Sequence, residues 1–374
     1  MLTLFDALRL AGSLGMVLFA AAVGIARLAP AEPARREPAP PPAFVSTYGC
    51  QLDEPSPCWV DPARLSLERL ALPDGDHASH LRAAPWRDER GRTQVVGRWW
   101  GALDGQGRLA GAQGPGIARY AFPDGAALER IPTGAVPVSP PCWVPDREAA
   151  ILYAASDGLL YRLDFGARRA DRRPRALRWA TPEPGDGPGQ IADPDWPTDP
   201  RFARTVLISL STNKGPDGPQ RLDPAALWWL RLDGTGTAIE AAGRLDWPGD
   251  VDGQGEAEAT RQRRFPVVVT RPDGGLTLVC LSQVRRGDDW RLDALAIRVD
   301  PEGGAVVPEG PPPRTLAAGL RASTPAPTAD GRSVLVMRRD PKAGGVPARI
   351  SLDAEPGADL AAGAAPPPPA ADRS

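Results

Sequence analysis

One phrase recurs along this chain in degraded form and constrains the fold more than any other feature. It runs Pro-x-Trp, an Asp-rich turn, an apolar strand, then a second strand ending apolar-x-apolar-Asp. Its best copy is Pro141-Cys142-Trp143-Val144-Pro145-Asp146, followed by Ala149–Ser156, an Asp157-Gly158 turn and Leu159–Asp164. One antiparallel β unit repeated every roughly 40–70 residues implies a radial or stacked architecture, a propeller first of all.

Five units can be read. The first has Pro85-Trp86, strands Thr93–Trp100 and Ile117–Phe122, and the turn Pro123-Asp124-Gly125. The second is the copy above, closed by Ala176–Ala180. The third has Pro194-Asp195-Trp196 and strands Thr205–Ser211 and Ala226–Leu232. The fourth has Phe265–Thr270, Leu276–Ser282 and Leu292–Val299 around Pro272-Asp273-Gly274. The fifth has Thr324–Thr328, Asp330-Gly331, Ser333–Met337 and Ala348–Leu352.

Asp-Gly and Pro-Asp-Gly supply the positive-φ, side-chain-bonded turns that tight hairpins need. Strands sandwiched between neighbouring sheets are buried on both faces, which accounts for apolar runs such as Leu276–Leu281. Trp143 reads as a packing residue between sheets whose indole N–H reaches a carbonyl. Trp99-Trp100 and Trp228-Trp229 each place one ring on either face of a strand. The second, fourth and fifth units resemble the β-propeller repeat of TolB-like and WD-like proteins and of the propellers attached to prolyl-oligopeptidase-type enzymes. That repeat runs Pro-x-Trp-Ser-Pro-Asp-Gly; here Val144 stands at the Ser and Arg147 at the Gly, and Pro327 stands at the Trp of the fifth unit. The resemblance spans residues 57–353 and implies a fold, not an activity.

The expected fold class is therefore all-β: a propeller of five or six four-stranded blades, with an N-terminal transmembrane or signal helix and disordered Pro-rich ends. The fifth unit lacks a final strand, and Leu65–Leu72 is a spare one, so the two are expected to pair and close the ring. Pro57-Cys58-Trp59 is the alternative start of a truncated sixth unit.

Leu10–Ile25 is an uncharged, mostly apolar run flanked by Arg9 and Arg27. Its length falls between a signal-peptide core and a full span. Either reading puts the rest of the chain outside the cytoplasm, by an anchor or after cleavage near Ala29-Pro30-Ala31. The expected organisation is residues 1–28 as anchor or signal, 29–44 as a Pro-rich linker, 45–353 as the β domain and 354–374 as an Ala/Pro tail. Cys50 and Cys58 are placed to form a local disulfide in an oxidising compartment, whereas Cys142 and Cys280 sit in strands as small buried hydrophobes.

Chemistry is sparse. A net charge of −2 gives no footprint for nucleic acid. There is no G-x-S-x-G elbow and no C-x-x-C. His77 and His80 fall in what reads as a solvated linker turn. The most metal-like string is Asp250, Asp252, Gln254 and Glu256 with Gly255 at the sixth position, a weak calcium-loop pattern whose twelfth position is Arg261. No pair of carboxylates stands out. The expectation is a non-catalytic, membrane-tethered scaffold for envelope proteins, with recognition by the loops Leu103–Gly116, Thr212–Pro224 and Gln283–Arg291. The alternative is an extracytoplasmic hydrolase or lyase acting on glycans or peptides through carboxylates of the central channel.

Overall fold

The computed structural model describes residues 58–70, 72–73, 78–88, 90–100, 115–122, 124–145, 150–166, 172–180, 189–211, 225–248, 261–283, 289–339 and 345–354. Among them there is no α-helix, and the chain is a succession of antiparallel strands. A hairpin of β1 (Cys58–Asp61) and β2 (Ser66–Arg69) comes first. The first full sheet is β3 (Ala78–Arg87), β4 (Thr93–Trp99), β5 (Gly116–Phe122) and β6 (Ala127–Pro132), side by side in chain order. The second holds β7 (Cys142–Trp143), β8 (Ala150–Ala154), β9 (Leu160–Asp164) and β10 (Arg175–Ala176).

The short β11 (Arg178–Trp179) leaves that sheet and pairs parallel with the outer edge of the third. The third sheet is β12 (Gln190–Asp195), β13 (Thr205–Ser211), β14 (Ala226–Leu232) and β15 (Ala238–Arg244). In the fourth, β16 (Gln262–Thr270), β17 (Leu276–Gln283) and β18 (Trp290–Val299) are followed by β19 (Val306–Pro308) and β20 (Arg314–Leu320), which pair with successive stretches of β18. A single pairing, Leu320 with Arg338, joins it to β21 (Ala326–Pro327), β22 (Ser333–Arg338) and β23 (Val346–Ser351).

The cores show how the sheets are arranged. Successive side chains on a strand face opposite ways, and here each face meets a different neighbour. Val96 and Ile117 of the first sheet pack on Trp143, Ile151 and Tyr153 of the second. Leu152 and Ala154, one step along the same β8, pack on Ile191, Val206 and Ile208 of the third. Leu207, between those two, joins Leu276, Leu278 and Cys280 of the fourth. Val279 and Leu281 then meet Val334 and Val336, and Leu335 and Met337 meet Val60 of the hairpin. Leu70, next to the hairpin, packs with Leu81, Val95 and Tyr120 of the first sheet. The series returns to its start, so the sheets form a ring. Each fully buried Leu or Ile stabilises it by about 1.5–3 kcal/mol. The innermost strands also run in sequence, with β7 beside β3 and β12, and β16 beside β12 and β21. This is a β-propeller.

The repeated Asp performs the same task in several turns. The backbone N–H of Leu159 donates to Asp157 Oδ1, that of Gly275 to Asp273 Oδ1 and that of Arg332 to Asp330 Oδ1. The glycines of these turns, Gly158, Gly274 and Gly331, all have φ between 63° and 85°.

Two expectations about the N-terminal part are corrected. Leu65–Leu72 does not add a strand to the fifth sheet: Ser66–Arg69 is occupied by pairing with Cys58–Asp61. The resulting hairpin closes the ring by apolar packing and by a hydrogen bond from Arg349 Nη2 to the Pro62 carbonyl at 2.7 Å. His80 is not in a solvated turn. It lies within β3, because the first sheet's innermost strand starts at Ala78, well before Pro85-Trp86. The apolar run 10–25, Cys50, His77, the string Asp250, Asp252, Gln254, Glu256 and most of the three long loops lie outside the described residues. Among the described residues no helix is long and apolar enough to cross a membrane, and no cluster of three metal-ligating side chains occurs.

Candidate functional site

The innermost strands of three sheets share one irregularity. In β3 two residues, His80 and Leu81, oppose the single Gly97; in β12, Asp193 and Pro194 oppose Ile208; in β16, Phe265 and Pro266 oppose Cys280. The first residue of each bulge has a left-handed backbone: φ is 56° at His80, 51° at Asp193 and 56° at Phe265. A non-glycine residue held there costs about 1–3 kcal/mol, and such strain concentrates where a protein must aim a side chain. For a ring as bulky as Phe265 the conformation is a true outlier.

The bulges bring charged groups from different sheets into contact. Asp193 accepts from Arg264 of the neighbouring sheet through Nε (2.6 Å) and Nη2 (2.9 Å), a forked charge-assisted pair. The Phe265 N–H adds a third bond to the same carboxylate at 3.3 Å. The backbone N–H of Asp193 in turn donates to Ser139 Oγ at 2.8 Å. His80 lies in the field of this pair, with its Nδ1 against the Ser79 hydroxyl at 2.8 Å. Burial, reinforced by the Arg98 and Arg264 charges, lowers the His80 imidazole to about 4, so it is neutral at physiological pH.

Two residues further along β12, Asp195 forms an ion pair with Arg82 of the first sheet and accepts the backbone N–H of Val268 from the fourth. The side chain of Asp195 is only 5% exposed. Its burial raises the carboxyl above the ordinary carboxylate range, against the opposing pull of Arg82. The Trp143 indole N–H donates to the Arg82 carbonyl at 3.3 Å, which fixes the strand that carries the guanidinium. Cys142 is buried beside the pair, and desolvation pushes its thiol up to about 12, leaving no thiolate to act as a nucleophile.

This second cluster borders a cavity of about 250 Å³ that draws its wall from the innermost strand of every sheet. Arg82 to Pro85, Cys142 and Trp143, Asp195 to Thr198, Val267 and Val268, and Pro325 to Pro327 contribute in turn. It is therefore the axial channel of the propeller. A smaller recess of about 80 Å³ adjoins the Arg264 side, lined by Gln190, Ser209, Ser211 and Gln262 among others.

The reading from sequence placed no site residue here. Asp195 is visible in the sequence only as the middle residue of the phrase Pro194-Asp195-Trp196, and Asp193 not at all. The signal that would have found them is the pair of acids flanking Pro194, at the same offset in its strand as Phe265-Pro266 in the next unit. Trp143 does pack between sheets, in edge-to-face contact with Trp86 at 5.4 Å. Trp228 and Trp229 do divide between two cores.

No family model and no curated protein sequence matches this chain. Solved structures of similar chain path include an endo-arabinase from Bacteroides thetaiotaomicron VPI-5482, at 10% identity and TM-score 0.41, covering 77% of this chain and 99% of that one. An endo-1,4-beta-xylanase from the same organism has 11% identity and TM-score 0.37, covering 73% and 90%. A prolyl endopeptidase has 10% identity and TM-score 0.35, covering 83% and 47%. The expectation of a non-catalytic scaffold is corrected. It rested on the lack of catalytic groups, whereas the channel holds a buried carboxyl of raised proton affinity beside a guanidinium.

Proposed function

We propose that this chain acts on glycans, with the axial cavity as the site that takes a sugar unit and Asp195 as the proton-donating carboxyl. The observation that carries this reading is the combination at Asp195: a nearly enclosed carboxyl, raised by burial, bordering a cavity that every sheet helps to line. A carboxyl whose proton affinity is raised by burial suits protonation of a glycosidic oxygen. Arg82 beside it stabilises the carboxylate left after the proton is given up. Pro85 and Pro327 give exposed apolar wall against which a sugar ring can lie, while Arg82 and Asp195 meet its hydroxyl edge. At about 250 Å³ the cavity is slightly smaller than the 300–1,000 Å³ usual for drug-sized ligands, which suits one sugar unit rather than a long segment.

The fold belongs to this reading at its finer level too: five blades, with the hairpin β1–β2 as a truncated sixth, built on TolB-type repeats. Residues 10–25 act as the export segment or anchor that holds the propeller outside the cytoplasm, where glycans are found.

The test is release of reducing ends from a panel of neutral and acidic oligosaccharides by the intact protein and by Asp195→Asn. Release by the native protein that falls at least about 100-fold in the variant supports the reading. Equal release by both, or no release from any member of the panel, overturns it.

A further inference from the structure

The outer rim between the second and third sheets carries a strip of exposed arginines. Along β10 and β11 the chain reads Arg172-Arg173-Pro174-Arg175-Ala176-Leu177-Arg178-Trp179. Leu177 is buried and pins the strip to the core shared by these sheets, and Trp179 packs partly on the same core. Arg172 is held by Glu129. Arg173, Arg175 and Arg178 are exposed, and among the described residues none of them has an ion-pair partner. Elsewhere in the molecule guanidiniums are held: Arg82, Arg92, Arg119, Arg162, Arg201, Arg204, Arg264 and Arg271 all have carboxylate partners.

The backbone works against this arrangement. Arg175 stands directly opposite Arg162 in the β10–β9 register, and like charges facing each other across strands are destabilising. Arg162 tolerates it because Asp164 and the carbonyls of Thr235 and Gly236 take up its donors. Among the described residues the three exposed guanidiniums have no such relief. At about 3.3 Å per residue, Arg173 to Arg178 covers about 16 Å in a line one strand wide.

We propose that this strip is a docking surface for an anionic glycan chain, one bearing uronate carboxylates. The inference rests on the glycan reading above and narrows its substrate class. Three exposed guanidiniums spaced along one extended segment match a linear polyanion rather than a plane of lipid headgroups, and the planar Arg fork suits carboxylate oxygens. The half-buried Trp179 ring at the end of the segment offers the apolar surface that a sugar has use for and a bare phosphate chain does not.

The experiment measures binding of polygalacturonate by the full chain at 50 and 200 mM NaCl, beside dextran, anionic phosphatidylglycerol vesicles and single-stranded DNA. The variant is Arg173→Ser/Arg175→Ser/Arg178→Ser, three exposed positions whose loss leaves every core intact. Expected is binding of polygalacturonate that weakens about tenfold between the two salt concentrations and about tenfold or more in the variant, with no binding of dextran. Equal binding by native protein and variant overturns the proposal, as does binding of vesicles or DNA as tight as that of polygalacturonate. Arg-dependent binding without any glycan turnover would leave this surface standing and remove the enzymatic reading. Turnover of glycans with no Arg-dependent binding would do the reverse.

Discussion

Asp195 on the third sheet and Arg82 on the first form an ion pair at the axial cavity, two strands that in sequence are more than a hundred residues apart. Arg82 is 23% exposed and Asp195 only 5%, so the pair is asymmetric: the guanidinium keeps contact with solvent and the carboxyl does not. Removing the carboxyl leaves a cation that can still hydrate. Removing the guanidinium strands a buried acid.

Arg82→Met should therefore destabilise more than Asp195→Asn. Asp195→Asn should cost about 1–3 kcal/mol, since Asn keeps an acceptor for the Val268 N–H, while the loss for Arg82→Met should approach about 3–5 kcal/mol at neutral pH. Urea denaturation at pH 7 compares them, and equal losses would contradict the asymmetry.

The raised Asp195 carboxyl also predicts a pH dependence. Its folded-state affinity for a proton exceeds that of the unfolded chain, so between the ordinary carboxylate value and the raised one the native state binds more protons. This group's contribution to stability falls as pH rises through that window. Asp195→Asn should abolish that fall, and a variant with an unchanged pH profile would show that the carboxyl is not raised.

His80 should produce the opposite slope. Its folded value of about 4 lies below the ordinary 6.5, so the unfolded state takes up the proton first on acidification. Stability from this group is complete above pH 6.5 and is lost as pH falls toward 4, by up to about 3 kcal/mol. His80→Asn, which tolerates the left-handed backbone, should flatten that limb. NMR of the native protein should show one imidazole titrating near 4; a value near 6.5 for His80 would contradict its burial.

Much of the ring was legible in the residues. Thr205–Ser211 and Ala226–Leu232 are strands with the boundaries read from their apolar pattern, because strands packed on both faces carry a dense signal and end in Asp-Gly turns. The site was not legible. A period-of-two reading assumes an unbroken register, and the bulges at His80, Asp193 and Phe265 break it where the charged groups converge. The phrase Pro194-Asp195-Trp196 marks the start of a unit, but nothing in it says that its acid meets Arg82 of another sheet. The hairpin β1–β2 was misassigned for a related reason: Leu65–Leu72 needs a partner, and composition does not say that the nearby Cys58–Asp61 supplies it.

The close approach of adjacent sheets can be tested at Gly331. Its φ is 63°, and a Cβ there would collide with the Thr270 carbonyl oxygen of the fourth sheet. Gly331→Ala should lose about 2 kcal/mol or more and lower Tm by several degrees. A neutral effect in thermal denaturation would mean that the fourth and fifth sheets lie further apart than described.

Cys142 and Cys280 should both resist alkylation until the ring opens. Both are buried, and Cys142 is held to about 12. Iodoacetamide labelling followed by peptide mass spectrometry should find them unmodified in buffer and modified in denaturant. Rapid labelling of Cys142 in the native protein would imply that the axial cavity admits reagent up to its wall.

The central claim is that the axial cavity is where a glycan is bound and acted upon. The most direct measurement is a crystal structure with an oligosaccharide released or turned over by the protein, soaked into Asp195→Asn so that it persists. A sugar ring is expected within the cavity, with a ring or glycosidic oxygen in hydrogen-bonding reach of residue 195 and of Arg82. A sugar seated elsewhere on the protein, with the cavity between Arg82 and position 195 unoccupied by it, would contradict the account.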